Sequence, residues 1–373
     1  MRQMPQEKGL ATMLSEPIRI LAIDVGAGTQ DILVYESDRA PENCVKLVLP
    51  SQTQVVAARI RRATARRVPI HLAGTLMGGG ASSEAVQAHL AAGLPVTAAP
   101  AAARTLHNDL ERVRALGVTI RDEPPPGAEI IRMGDIDLAA IETALARFEV
   151  PLPSLYAVAV QDHGYLPDAG GRELRYEFLQ RLLERDGDVR NMVYRDPPPP
   201  MIRMQAVREL LPGAAVMDTG AAAVLGILGD PVVAGAVFSR GAILVNVGNM
   251  HTFGVALRGR RICGLFEHHT GGVTPAILHT LVDGLRTGQL THEEVVALGG
   301  HGAAFAPDYA DMDPIDFVAI TGPNRALVRS LGYYEAVPHG DMMLSGPYGL
   351  VEGLLTLLAS EGFVSGLSLI RVD

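Results

Sequence analysis

The chain is 373 residues long, 48% hydrophobic and 20% charged, which is long for one core and comfortable for two domains. A net charge of −9 argues against a broad nucleic-acid surface, where a basic excess is expected. Two cysteines, Cys44 and Cys263, are too few for a disulfide framework or a thiolate metal cluster.

The first 16 residues are polar and mixed and read as a disordered tail without the apolar core of a signal peptide. The most informative stretch follows at 20–35, ILAIDVGAGTQDILVY. Leu21, Ile23 and Val25 with Ala22 make the apolar run of a strand covered on both faces. Asp24 sits where that strand runs out. Gly26 and Gly28 let the backbone turn tightly and approach a ligand with no Cβ in the way, Thr29 offers a hydroxyl, and a second strand restarts. A carboxylate beside free backbone N–H groups suits a Mg²⁺-bound polyphosphate; a plain β-hairpin with an aspartate at its turn gives the same pattern.

Strands and helices then alternate. A strand is expected over 44–49, then a helix over 52–66 whose arginine-rich outer face reads as solvated. A strand over 70–73 opens into a flexible glycine loop at 74–80. Helices over 82–92 and 101–116 flank a short strand at 95–98, and prolines 124–126 mark a surface loop. A helix over 138–148 precedes a buried strand over 155–161 that ends in Asp162-His163-Gly164. An amphipathic helix over 172–185 and a stiff proline connection at 197–200 follow.

A short strand over 214–218 leads into 219–229, TGAAAVLGILG, a helix whose small residues allow a close helix crossing. Asp218 at its N-terminus is either a helix cap or a base facing the cleft. Residues 242–257, AILVNVGNMHTFGVAL, then repeat the design of the first hairpin, with Asn246 for the acid, Gly248 at the turn, and a loop about one residue longer that puts Thr252 where Thr29 stands. A strand over 262–267, the pair His268-His269, a helix over 274–285, a strand over 317–320 and the turn Thr321-Gly322-Pro323-Asn324-Arg325 with a following helix complete the pattern. Adjacent histidines point in different directions on a regular element, so His268 and His269 are poor joint ligands, and they and His163 read as loop residues that touch substrate or solvent.

In order and spacing, the strand-Asp-x-Gly-x-Gly-Thr unit, the small-residue helix preceded by an acid, the second glycine hairpin and the late strand-glycine-turn resemble the acetate and sugar kinase, heat-shock and actin superfamily over about residues 18–331. The resemblance implies an α/β fold of two ribonuclease-H-like (actin-like ATPase) domains with mixed sheets flanking a nucleotide cleft: an N-terminal half over 17–212 and a C-terminal half over 213–373. It implies ATP or ADP with Mg²⁺ as cofactors. Asp24 would engage the metal; Gly26, Ala27, Gly28 and Thr29 would meet the phosphates from one side and Gly248, Asn249 and Thr252 from the other. Gly322, Pro323, Asn324 and Arg325 would approach the adenosine, and Asp218 would be the general base. Two departures stand out: Asn246 replaces an aspartate common in relatives, and the adenosine turn carries Gly-Pro-Asn-Arg where relatives often have more glycines. Within the superfamily the chain most resembles a prokaryotic group labelled pyruvate formate-lyase-activating-enzyme-like. Two cysteines so far apart cannot supply the three clustered thiolates of a radical S-adenosylmethionine iron–sulfur site.

The leading expectation is a cytoplasmic, Mg²⁺-dependent ATP-binding phosphotransferase or ATPase. Its acceptor is an unidentified small molecule, met by the 74–80 loop, Asp162, His163, His268 and His269. A nucleotide-gated assembly protein forming homo-oligomers is one alternative, and a metal-dependent hydrolase is another. Neither a nucleic acid nor a membrane is expected as a partner: the apolar run near 350–359 is short and broken by Glu352.

Overall fold

The computed structural model describes residues 17–166 and 171–370; the tail expected over 1–16 lies outside them. Strands β1 (Arg19–Val25), β2 (Thr29–Glu36) and β3 (Val45–Pro50) form an antiparallel meander. Helix α1 (Gln52–Ala65) then leads into a separate four-stranded parallel sheet made of β4 (Ile70–Gly74), β5 (Val96–Ala98), β6 (Thr119–Ile120) and β7 (Glu129–Met133), in the order β6-β5-β4-β7. Helix α2 (Ala81–Ala91) joins β4 to β5. Where one helix was expected over 101–116, two short ones stand, α3 (Pro100–Ala103) and α4 (Leu110–Ala115), with Asp109 capping the second through the Glu111 N–H.

After α5 (Leu138–Ala146), the chain returns to the first sheet as β8 (Leu155–Val160), parallel to β1. Helix α6 (Gly171–Arg185), β9 (Val193–Tyr194), α7 (Ile202–Leu210) and β10 (Ala215–Met217) follow, giving a sheet of order β3-β2-β1-β8-β10-β9. Helices α8 (Thr219–Ile227) and α9 (Pro231–Ser239) precede a second meander, β11 (Ala242–Val247), β12 (His251–Arg258) and β13 (Arg261–His269). Then come α10 (Pro275–Thr287), α11 (His292–Ala297), β14 (Gly302–Phe305), β15 (Val318–Thr321), β16 (Tyr334–Glu335) and α12 (Ser345–Ser360). The second sheet runs β14-β13-β12-β11-β15-β16, and β15 is parallel to both β11 and β16. An antiparallel meander whose first strand is joined by two further parallel strands therefore occurs twice. That is the ribonuclease-H-like unit, and its duplication is the actin-like ATPase fold.

Side-chain alternation assigns the faces. Ile20 and Ala22 of β1 face a core shared by both sheets, with α8 and α12 between them, whereas Leu21, Ile23 and Val25 face α5 and α7. The strand is buried on both sides, as its apolar run requires. Helices α8 and α12 cross at backbone contact: a Cβ on Gly226 would lie 1.7 Å from the Ser345 carbonyl oxygen, and one on Gly349 would lie 1.8 Å from that of Ala222. The small residues expected to permit a close crossing do so. Together with the turn before it, Met342–Ser360 is 19 residues of mean hydropathy 1.3, long and apolar enough to cross a membrane; 72% of that window is buried inside the protein. Here it is a core helix, and Glu352 within it accepts hydrogen bonds from Ser368 Oγ and the Leu369 N–H. The stretch after β15, expected as a helix, is a 3₁₀ segment, Arg325–Leu331.

Candidate functional site

Both hairpins lie at the same ends of their sheets and open onto one cavity of ≈ 420 Å³, a volume in the range of small-molecule sites. Asp24, Gly26, Ala27 and Thr29 line one wall and Asn246, Gly248, Asn249 and His251 the other, while Gly322, Pro323, Asp162, His163 and Asp218 complete it. The turns nearly touch: a Cβ on Gly28 would lie 3.6 Å from Asn249 Nδ2. They are also built alike. The Gly26 N–H donates to the Thr29 carbonyl at 2.9 Å, and the Gly248 N–H donates to the His251 carbonyl at 3.0 Å. Strand pairing closes them at Val25/Gln30 and Val247/Thr252. The second loop is thus not a residue longer, and the residue at the place of Thr29 is His251. Thr252 is fully buried and bonds Thr270 Oγ1 at 3.0 Å, away from the cavity.

In the first hairpin Asp24 pairs across the ladder with Asp31, and both carboxylates face the cavity. The Oδ1 atom of each is buried without a hydrogen-bond partner. Burial and then the Asp31 charge push Asp24 well above the usual carboxylate range. Burial raises Asp31 to about 7. Two buried, under-bonded carboxylates side by side are expensive unless a cation is shared, and an all-oxygen donor set suits a hard ion such as Mg²⁺. Gly346 makes room for Asp24, since a Cβ there would lie 2.0 Å from its Oδ2.

Asp218 differs from its expected role. Its Oδ1 accepts the Gly220 N–H at 2.9 Å, capping α8, and Arg175 of α6 grips it through two bonds at 2.6 and 3.1 Å. The same guanidinium holds Glu267 of β13 at 2.6 and 3.1 Å. Burial alone would raise Asp218, but Arg175 and the Gly220 amide outweigh it and hold the carboxyl below its ordinary value. Burial pushes Glu267 up despite Arg175, as two carboxylates share one guanidinium. A carboxylate so bound is a poor proton acceptor, so the general-base role expected for Asp218 does not fit, and the residue anchors an ion-pair network instead.

Asp162 is structural as well. It accepts the Gly164, Arg203 and Met204 N–H groups, fixing the loop after β8 to the start of α7. The 74–80 loop is pinned rather than loose: the Gly78 N–H donates to Asp135 Oδ1, and Thr53 Oγ1 donates to the Gly78 carbonyl. His268 is fully buried, with its ring nitrogens against the His269 and Leu298 carbonyls, and cannot meet a substrate. Asn324 braces the second hairpin by donating to the Gly248 carbonyl at 2.9 Å. Arg325 pairs with Glu335 at 3.0 Å and is not free to stack on a base.

Several residues escaped sequence reasoning. Asp31, Arg175 and Glu267 belong here, as does Arg104, which lines the cavity and makes no ion pair among the described residues. A cluster of histidines forms the deep corner. His251, His269 and His301 come from the neighbouring strands β12 and β13 and the lead-in to β14, and His163 reaches in from the other sheet. Ring centroids lie 4.4–5.4 Å apart. Burial, then neighbouring positive charge, lowers His163 to about 4, His251 to about 3 and His301 to about 2. All three are neutral at physiological pH.

Among solved structures the chain is similar to the ethanolamine utilization protein EutJ from Carboxydothermus hydrogenoformans, at 12% identity and a TM-score of 0.28 over 90% of this chain and 89% of that one. It is also similar to a Bacteroides thetaiotaomicron protein with an actin-like ATPase fold and unknown function, at 7% identity and a TM-score of 0.35 over 92% and 98%. At scores this low the fold rests on the strand order itself. No curated protein matches the chain. One family model does, over residues 77–327, described as putative pyruvate format-lyase activating enzyme (DUF1786). The activity in that description finds no iron–sulfur ligand set here: Cys44 and Cys263 are both buried, one in the core shared by the two sheets and one behind the second sheet. With most of its length matched, the chain belongs to the DUF1786 family.

Proposed function

We propose that the cavity binds a nucleoside triphosphate with Mg²⁺ and that the protein is a cytoplasmic phosphotransferase or ATPase. The observation that carries this reading is the buried Asp24–Asp31 pair, with an unpartnered oxygen on each carboxylate, at the foot of two facing glycine turns. Asp24 and Asp31 would hold the ion, which supplies charge neutralisation at the polyphosphate. The glycine turns Gly26–Gly28 and Gly248–Asn249 bring backbone within reach of phosphate oxygens without side-chain obstruction. Gly322 and Pro323 form the adjacent wall for the nucleoside, and Gly322, at φ +100, cannot accept a Cβ without meeting the Val247 carbonyl at 2.5 Å. Arg104 and the 74–80 loop face the same space and would receive an anionic acceptor. Asp218, paired with Arg175, sets the position of α8 rather than taking a proton.

Isothermal titration of Mg²⁺·ATP tests it. The wild type should bind in the micromolar-to-millimolar range only with Mg²⁺, and Asp24→Ala should weaken binding by at least about tenfold, equivalent to about 1.4 kcal/mol. Unaltered Mg²⁺·ATP affinity in that variant would remove the first hairpin from the site.

A further inference from the structure

The histidine corner has no task in the nucleotide reading, yet it is the most unusual chemistry in the molecule. His163 Nε2 and both ring nitrogens of His251 and of His301 are buried and hydrogen-bonded to nothing among the described residues. His301 is only 7% exposed. One nitrogen from each ring lies within 4.8 Å of those of the other two. Core histidines ordinarily satisfy at least one ring nitrogen, whereas His251 and His301 satisfy neither among the described residues, and one nitrogen of each converges with one of His163.

We propose that His163, His251 and His301 form a binding site for one divalent transition-metal ion, with an open coordination position toward the cavity. Three imidazoles and no thiolate or carboxylate select zinc, cobalt, nickel or iron over magnesium, which takes oxygen donors. Nitrogen ligands around a tetrahedral zinc lie about 3.4 Å apart, so the rings must close by on the order of 1 Å. Their placement is fixed from behind. The His301 backbone N–H donates to the Glu267 carbonyl at 2.8 Å, and the Glu267 side chain is locked by Arg175 and by Gln161 Nε2 at 2.9 Å. His251 lies opposite His269 in the β12–β13 ladder, and the His269 ring packs on His251 and His301, closing one side. His163 and His251 line the cavity, so the open position faces it.

The site has a structural consequence. His251 and His301 belong to the second sheet or its lead-in and His163 follows β8 of the first, so an ion would clamp the two halves at this corner of the cavity. It is separate from the oxygen site at Asp24 and Asp31, and its existence does not depend on nucleotide binding.

The test uses untagged full-length protein, stripped with EDTA, dialysed and titrated with Co²⁺ and then Zn²⁺. The expected result is one ion per chain by elemental analysis, and a visible Co²⁺ spectrum of low-coordinate nitrogen ligation that Zn²⁺ displaces. His251→Gln and His301→Gln should each weaken Co²⁺ binding at least about 100-fold, beyond the loss typical of outer-shell changes. Circular dichroism checks that they fold; should either fail, the cavity-lining His163→Gln carries the comparison. Asp24→Asn should bind Co²⁺ like the wild type, which separates this site from the magnesium reading. Folded wild type that binds Co²⁺ no more tightly than the histidine variants overturns the proposal, as does an Asp24→Asn variant that loses the spectrum.

Discussion

The pairs Val25/Gln30 and Val247/Thr252 close two turns with the same hydrogen bond, and the strands behind them run in the same order. Their chemistry differs at each equivalent place. Asp24 stands where Asn246 does, Asp31 where Phe253 does, and Thr29 where His251 does. The first hairpin offers two buried carboxyl groups, each with an unpartnered oxygen; the second offers an amide, an aromatic ring packed in the core and an imidazole. A duplicated backbone thus supplies the geometry twice, while charge is concentrated on one side. Such asymmetry suits a polyphosphate whose cation must sit at one end, and it leaves the other hairpin available for a softer ion.

What joins the two sides is Arg175. It bonds Asp218, which follows β10 of the first sheet, and Glu267, which pairs with Phe253 in the second. All three side chains are at least nine-tenths buried. Removing the guanidinium leaves two carboxylates unpaired, so Arg175→Met should cost about 3–5 kcal/mol in urea unfolding. Should the loss stay below about 1 kcal/mol, the two halves are held by apolar packing of α8 and α12 alone, and the ion-pair network is incidental.

The charge asymmetry gives a pH signature. Asp31 is raised from 3.8 to about 7 by burial. A carboxyl raised on folding contributes stability that is fully present below its unfolded value near 3.8 and is lost as pH rises through about 7. Ligand-free, EDTA-treated protein should therefore lose stability between pH 4 and 7, and Asp31→Asn should flatten that slope. At about 1.4 kcal/mol per pKa unit the upper limit is about 4 kcal/mol, and roughly half of that is expected in a site open to water. Melting temperatures of wild type and Asp31→Asn across that window measure it. Parallel curves would mean that Asp31 is hydrated and no different in kind from the neutral positions of the second hairpin.

Much of this was legible before the structure. Both hairpins, the buried strands and the small-residue helix are local patterns, in which an apolar run, a glycine turn and alanine spacing suffice. Arg175 was not legible, because a buried arginine in an amphipathic helix looks like any other surface charge until its partners, 43 and 92 residues away, are known. His301 was hidden for the same reason: it meets His251 only through the β13–β14 pairing, and His163 only through the crossing of the halves. The neighbouring pair His268-His269 drew attention by adjacency, yet its first member is bonded into the core. Chemistry assembled across sheets leaves no spacing in the chain.

The smallest expected effect bears directly on how the hairpins correspond. Matching threonine to threonine puts Thr252 opposite Thr29 and requires a longer second loop; the pairing register instead puts His251 there. The two alignments differ in what Thr252→Val should do. If Thr252 met phosphate as Thr29 would, the variant should lose nucleotide affinity. By the register, its hydroxyl lies in the interior and bonds Thr270. Valine keeps the shape and removes one hydrogen bond, which costs about 1 kcal/mol of stability. Mg²⁺·ATP binding should then be unchanged within about twofold, a difference of about 0.4 kcal/mol, while Thr29→Val under the same conditions weakens it. Equal losses from both variants would restore the threonine alignment and take His251 out of its place at the turn.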